Sequence, residues 1–170
     1  MKVLQKTLLI AMAAAASAPA LAYEAGDIIV RAGAIQVTPE TTNNTNLAGL
    51  DVDSDTQLGL TIPYMLSPKV ALELVGATPF KHDITLNGAT IGSVEHLPPT
   101  VMVQYFPLAA SSDVQPYVGV GLNYTKFWGE SNTLGVVLDV EDSLGLAVEA
   151  GVDVKIADNI VLNASVWKID

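Results

Sequence analysis

The chain has 170 residues, of which 50% are apolar, no cysteine, and a formal net charge of −10. The acidic balance argues against nucleic acid as a partner, and the length predicts one domain. After residue 22 no apolar run approaches the ~20 residues of a transmembrane helix, so the apolar content must be spread over short segments.

Residues 1–22 predict a secretory signal peptide. Two lysines within the first six residues form a positive n-region, and an apolar run covers residues 7–16. Ala20-Leu21-Ala22 then places small residues at the −3 and −1 positions that signal peptidase requires. We expect cleavage after this site, which leaves residues 23–170 as one exported domain.

Period-two alternation of apolar and polar residues dominates the rest of the chain and predicts β-strands. Each of seven alternating segments is about as long as a tilted strand that crosses a bilayer. Glycine, proline, asparagine, aspartate and serine separate them. The segments are 27–37, 56–66, 69–79, 98–107, 114–127, 142–155 and 159–169.

The links between these segments alternate between short and long, which is typical of bacterial outer-membrane barrels with short periplasmic turns and long outer loops. The short links are Ser67-Pro68, residues 108–113 and Ala157-Asp158. The long links are 38–55, 80–97 and 128–141. We therefore predict an all-β, antiparallel, up-and-down transmembrane β-barrel of the eight-stranded type.

The composition of the two strand faces favours a membrane barrel over a soluble periplasmic barrel, which stays the alternative. In the sixth segment one face carries Leu144, Leu146 and Val148, and the other carries small or polar residues such as Glu149 and Asp153. A continuous aliphatic stripe suits lipid better than water. Tyrosine and tryptophan near the strand ends, including Tyr64, Tyr105, Tyr124 and Trp128, suggest aromatic girdles.

The same alternation nominates residues that face the lumen. Val75, Met102 and Trp167 are predicted to be bulky apolar groups inside the barrel, where a hydrophobic ligand would contact them. The alternative is that they simply fill a narrow barrel. Four charged residues also occupy alternate strand positions that are predicted to face the lumen: Arg31, Glu73, Glu149 and Asp153. Because an unpaired buried charge is costly, we expect Arg31 to pair with one or more of the acids and to plug the periplasmic end.

No pattern predicts a metal site, a cofactor or catalysis. His82 and His96 flank the second long link, but their spacing matches no recognised zinc site. Residues 51–55 resemble a calcium loop only faintly, since Thr56 and Ile62 occupy positions where an EF-hand needs glycine and glutamate. A Ser-His-Asp or paired-carboxylate arrangement does not stand out, so we expect a protein that is not an enzyme.

Several short sequence motifs resemble those of the OmpW family of eight-stranded outer-membrane proteins, which includes AlkL-type alkane-uptake proteins. The most specific are His96-Leu97-Pro98-Pro99-Thr100 and Ala77-Thr78-Pro79-Phe80, and the likeness extends in order along the mature chain. Further matching motifs are Val30-Arg31-Ala32-Gly33, Thr56-Gln57-Leu58-Gly59-Leu60-Thr61, Pro116-Tyr117-Val118-Gly119 and Ser165-Val166-Trp167.

The resemblance implies a narrow barrel that lets small hydrophobic molecules enter an apolar pocket and leave sideways into the membrane. The alternative function is a structural or surface-interaction barrel that acts through its outer loops without transport. The expected partners are outer-membrane lipids and lipopolysaccharide, small hydrophobic molecules and the outer-membrane assembly machinery. No cofactor is expected.

Seven strands are an odd number for such a barrel. Single-chain bacterial barrels have even strand numbers and no open edge, and the resemblance stops at the seventh strand. We therefore expect a fragment or truncated product that lacks the last strand, whose first and seventh strands are unpaired in lipid and which inserts poorly by itself.

Overall fold

The computed structural model describes residues 6–17, 23–40, 49–132 and 141–170, the first of these as backbone only. The cleavage site and parts of the first and third long links lie outside the described residues. The eleven described strands are β1 (Lys6–Ser17), β2 (Ile29–Glu40), β3 (Leu50–Val52), β4 (Asp55–Ser67), β5 (Val70–Ala77), β6 (Phe80–Leu86), β7 (Ala89–Leu97), β8 (Thr100–Tyr105), β9 (Val114–Asn132), β10 (Ser143–Ala157) and β11 (Ile160–Ile169).

The barrel wall is antiparallel and contains all seven predicted strands. Going round it, β2 pairs with β4, β4 with β5, β5 with β8, β8 with β9, β9 with β10, and β10 with β11. Consecutive wall strands are therefore neighbours, which is the up-and-down order. By themselves these seven strands leave the sheet open between β2 and β11.

The N-terminal strand β1 lies in that opening. Thr7 to Ala16 pairs with β11, and Lys6 to Ser17 pairs with β2, so that β1 completes a ring of eight strands. In the uncleaved 170-residue chain, β1 thus satisfies the backbone groups of both edges. The expectation that the first and seventh strands of residues 23–170 lack partners stays a prediction. Cleavage after Ala22 stays a prediction, and it would open this position again.

The second long link, residues 80–97, is not an irregular loop. It forms the hairpin β6–β7, whose two-residue turn Asn87-Gly88 has positive φ at both positions, 50° and 82°. Such a turn matches the twist of the flanking strands. β3 pairs with β6, and the outer end of β9 pairs with β7. This small sheet, which we call the outer extension, continues the barrel beyond its long-link end.

The two faces of the wall have opposite character. Outward side chains on β4, β9 and β10 are aliphatic and exposed, as in Leu58 at 72% and Leu144 at 73%. Inward positions of the same strands hold buried polar or small residues such as Thr61, Asn123 and Glu149. An apolar exterior around a polar interior is the pattern of a barrel solvated by lipid. Among the described residues, no α-helix is both long and apolar enough to cross a bilayer.

Candidate functional site: the barrel lumen

The short-turn end of the lumen is filled by apolar and aromatic side chains. Ile29, Met65, Ala71, Phe106, Tyr117 and Val161 form one buried cluster, against which Tyr23 packs. The Tyr23 ring meets the Phe106 ring edge-on, with centroids 5.3 Å apart. This cluster, which we call the plug, fills the end that faces the periplasm if the short turns lie there, as they do in bacterial barrels.

Arg31 lies directly above the plug and is 1% exposed. Its Nη1 donates to Glu73 Oε1 at 2.8 Å, while Nε and Nη2 donate to the two carboxylate oxygens of Asp153 at 3.0 and 2.5 Å. The guanidinium carbon also stands 4.8 Å from the centroid of the Tyr117 ring. The structure thus joins three of the four charged residues nominated from the sequence, Arg31, Glu73 and Asp153.

Glu149, the fourth nominated charge, is buried beside this group but makes no described ion pair. It accepts a hydrogen bond at 2.6 Å from the side-chain amide of Gln104. Gly119 makes room for it, since a Cβ at that position would stand 2.6 Å from a Glu149 oxygen. Arg31, Glu73, Asp153, Gln104 and Glu149 together form what we call the polar layer.

Two further residues complete the polar layer, although sequence reasoning missed their roles. The Tyr23 hydroxyl donates to Asp153 at 2.7 Å, and the Asn163 amide donates to Asp153 at 2.8 Å and to the Tyr117 hydroxyl at 2.9 Å. Asn163 alternates in step with the predicted lumen residue Trp167 on the same strand, but the alternation gave no role to Tyr23, which precedes the first wall strand of the predicted mature chain.

An apolar chamber lies above the polar layer. Its buried cluster contains Met102 and Trp167, with Val75 packed against them, so the three nominated ligand contacts meet on the lumen side. The cavity that opens here has about 320 Å³ of empty space, counting space open to the outside. Its lining is Ile35, Val75, Gly76, Ala77, Phe80, Pro98, Thr100, Trp167 and Ile169. Met102 lies just below this lining and forms part of the chamber floor.

The wall beside this chamber is interrupted between β5 and β8. The last backbone pair of these strands is Val75 with Thr100, and pairing resumes only in the outer extension, at Phe80 with His96. The interrupted stretch includes Pro79, Pro98 and Pro99, whose nitrogens carry no hydrogen to donate. We call this stretch the wall gap.

On each side of the wall gap, the backbone hydrogen-bonds to the strand on its far side and not across the gap. Thr78 N donates to Leu58 O on β4 at 2.8 Å, and Tyr124 N on β9 donates to Pro99 O at 3.0 Å. Gly76 has the outward parity of its strand and yet lines the chamber, and a Cβ built there would meet nothing within 4 Å. The chamber therefore reaches into the wall at this point.

A second cavity lies at the mouth of the lumen, between the chamber and the outer extension. It has about 550 Å³ of empty space, counting space open to the outside, and shares Pro98 and Ile169 with the chamber. His82 and His96 line it, and their stacked rings have centroids 4.9 Å apart. Among the described residues, no three His, Cys, Asp or Glu side chains are grouped so as to hold a metal ion.

Comparison with known proteins assigns the chain to a family. The model of the OmpW family matches residues 24–170. The chain belongs to the OmpW family. Outer membrane protein W of Vibrio cholerae serotype O1 is 45% identical over 171 residues, which cover 92% of this chain and 79% of that protein. Outer membrane protein W of Escherichia coli K12 is 43% identical over 164 residues, which cover 91% and 77%.

A solved structure from the same comparisons supports the OmpW-family fold. The crystal structure of the outer membrane protein OprG from Pseudomonas aeruginosa matches with a TM-score of 0.77 and 36% identity, over 88% of this chain and 80% of that one. The fold class, the family and the location predicted from the sequence are thus confirmed. The protein is an outer-membrane barrel, and lipid surrounds its aliphatic face.

Proposed function

We propose that this OmpW-family barrel lets small hydrophobic molecules pass from the outside into the outer membrane through the chamber and the wall gap. The observation that carries the proposal is an apolar chamber that is closed below and reaches into the wall beside it. A molecule that enters from the mouth meets Val75, Phe80 and Trp167, and the polar layer beneath offers it no apolar path to the periplasm.

The surroundings of the wall gap support sideways release. Leu74 and Val101 lie just below the gap on its two strands, and both are exposed on the lipid side. Leu58 is exposed beside the gap on β4. A hydrophobic molecule that leaves here moves from the apolar chamber into apolar lipid, so it avoids the free-energy cost of exposing apolar area to water.

The experiment compares two tryptophan substitutions at adjacent positions of β5 that face opposite sides of the wall. Val75→Trp fills the chamber, whereas Leu74→Trp places the same indole side chain on the lipid face. We expect cells that produce Val75→Trp to take up a fluorescent hydrophobic tracer no faster than cells without the gene. Cells that produce Leu74→Trp should take it up like cells with the unaltered protein.

Folding must be verified for both variants by their heat-dependent mobility on gels. Equal tracer entry with and without the gene would refute transport and favour the structural or surface-interaction barrel. Normal entry through a folded Val75→Trp variant would refute this route. A third variant, Gly76→Trp, places its side chain at the wall gap, and we expect it to slow tracer entry if release is sideways.

A further inference from the structure

The mouth of the lumen contains two buried histidines whose positions are fixed by stacking. His82 on β6 is 2% exposed and His96 on β7 is 7% exposed. Their ring planes differ by 14°, and the Phe80 ring lies against both, with centroids 6.3 and 5.4 Å away. Phe127 packs on the other side of His96, at 5.5 Å. The two imidazoles are therefore held in place by aromatic neighbours.

The hydrogen bond of His82 determines its tautomer. Nδ1 lies 2.7 Å from the backbone oxygen of Asp53, and a carbonyl oxygen can only accept, so Nδ1 carries the hydrogen. In the neutral ring Nε2 then holds a lone pair. This atom is buried, and within the described part of the chain it has no hydrogen-bond partner. Nδ1 of His96 is likewise buried and has no hydrogen-bond partner among the described residues.

Burial favours the neutral form of both rings. Burial lowers the pKa of His82 below its ordinary value of 6.5. Burial, followed by the neighbouring His82 ring, lowers the pKa of His96 to about 4, and the Asp55 carboxylate opposes this only partly. The unmatched nitrogen of His82 is therefore an acceptor. A buried acceptor without a donor is costly to the fold, and such a group calls for a binding partner.

The side-chain amide of Asn123, which also lines the mouth, already has hydrogen-bond partners. Asn123 donates to Thr100 Oγ1 at 2.8 Å and accepts from Thr125 Oγ1 at 2.6 Å. Much of the remaining lining is apolar and includes Val37, Val52, Val94, Phe127 and Ile169. An alkane offers the histidines no donor. A carboxylate offers only acceptors, and it would be repelled by Asp170 in the lining and by Asp55, whose charge acts on both histidines.

We propose that His82 and His96 form a recognition site for the hydroxyl or N–H group of a neutral amphipathic molecule, whose apolar tail lies in the chamber below. The two cavities share lining residues, so one chain molecule can occupy both. This inference rests on the proposed function and narrows its substrates from hydrophobic molecules in general to fatty alcohols and similar neutral donors.

The test uses the tryptophan in the chamber as a reporter. The chain has two tryptophans, so Trp128→Phe leaves Trp167 as the single emitter. The full chain in lipid vesicles is titrated with a fatty alcohol that carries bromine at the far end of its chain, and separately with the matching bromoalkane and carboxylate. Bromine quenches tryptophan fluorescence on contact. The double substitution His82→Phe and His96→Phe keeps flat rings in the stack and removes the ring nitrogens of both residues.

We expect the alcohol to quench Trp167 at about three- to tenfold lower concentration than the bromoalkane, which corresponds to one net hydrogen bond. In the double phenylalanine variant the two probes should become equal, with bromoalkane quenching unchanged. Quenching from the surrounding lipid is common to all variants and cancels in the comparison. The carboxylate should be weaker than the alcohol wherever the histidines are present.

An alcohol advantage that is absent from the histidine-containing chain, or that survives in the double variant, overturns the inference, as does a carboxylate that quenches best. If the double variant does not fold, the ring nitrogens of the Trp128→Phe chain provide the test. The alcohol must then shift the NMR signal of His82 Nε2 while the bromoalkane does not. Bromoalkane quenching without an alcohol preference leaves the proposed function standing, whereas quenching by neither probe beyond the lipid background refutes both.

Discussion

Replacing Arg31 by methionine should destabilise the barrel far more than the loss of a surface charge. Arg31 makes three hydrogen bonds to two buried carboxylates. Asp153 keeps donors from Tyr23 and Asn163, but Glu73 loses its hydrogen bond from Arg31. Because breaking a buried ion pair leaves an uncompensated charge, we expect the free energy of unfolding to fall by about 3–5 kcal/mol.

The assay is urea unfolding of the full chain in lipid vesicles, followed by tryptophan fluorescence and by heat-dependent gel mobility. Lys168→Met is the matched control. It removes a pair whose side chains are 50% and 52% exposed and 4.0 Å from each other, Lys168 with Glu40, which is worth about 1 kcal/mol at most. Combining Arg31→Met with Glu73→Gln and Asp153→Asn removes all three charges and should recover much of the loss. If Arg31→Met costs no more than Lys168→Met, the ion pairs of the polar layer do not stabilise the barrel.

Three other predictions concern β1, Tyr23 and the outer extension. Residues 23–170 without β1 should fold into vesicles with lower yield than the full chain, since the backbone groups of two strand edges lose their partners; equal heat-modifiable yields would contradict this. Tyr23→Phe should lower the free energy of unfolding by about 1.5–3 kcal/mol through the lost bond to Asp153, whereas Tyr105→Phe on the lipid face should change it little in the same urea assay. Because the pKa of His96 is depressed to about 4, the folded outer extension binds fewer protons than the unfolded one, so its stability should be constant above pH 6.5 and should fall as the pH is lowered towards 4. Amide hydrogen exchange of β6 and β7 would measure this, and His96→Phe should remove the contribution of that ring.

The sequence predicted the barrel wall well because a strand sends alternate side chains to opposite faces. One charged residue such as Glu73 is enough to fix the parity of its whole strand, and the inward positions of Met102, Trp167 and Arg31 follow from the same rule. Which acid Arg31 contacts could not be predicted. That depends on the stagger of strands far apart in the sequence, since Glu73 is on β5 and Asp153 on β10.

Two features were missed for different reasons. The hairpin β6–β7 had a readable signal, because Asn87-Gly88 is the strongest two-residue turn signal for a β-hairpin, but the long link around it was interpreted as a loop. No alternation or turn pattern in the sequence predicted the contact that Tyr23 makes. It reaches Asp153 only because the chain before β2 folds back under the barrel, where its backbone nitrogen donates to Ala110 O at 3.2 Å.

If the proposed route operates, the polar layer and the wall gap lie at different heights of the barrel and control two independent permeabilities. The polar layer of Arg31 and its partners would then limit leakage of ions and water-soluble nutrients, whereas Gly76 and Pro98 at the wall gap would limit exchange of apolar molecules. A cell could therefore carry many copies of such a protein without weakening its outer membrane as a barrier to hydrophilic toxins. Natural variation in the chamber could change what is admitted and leave that insulation intact.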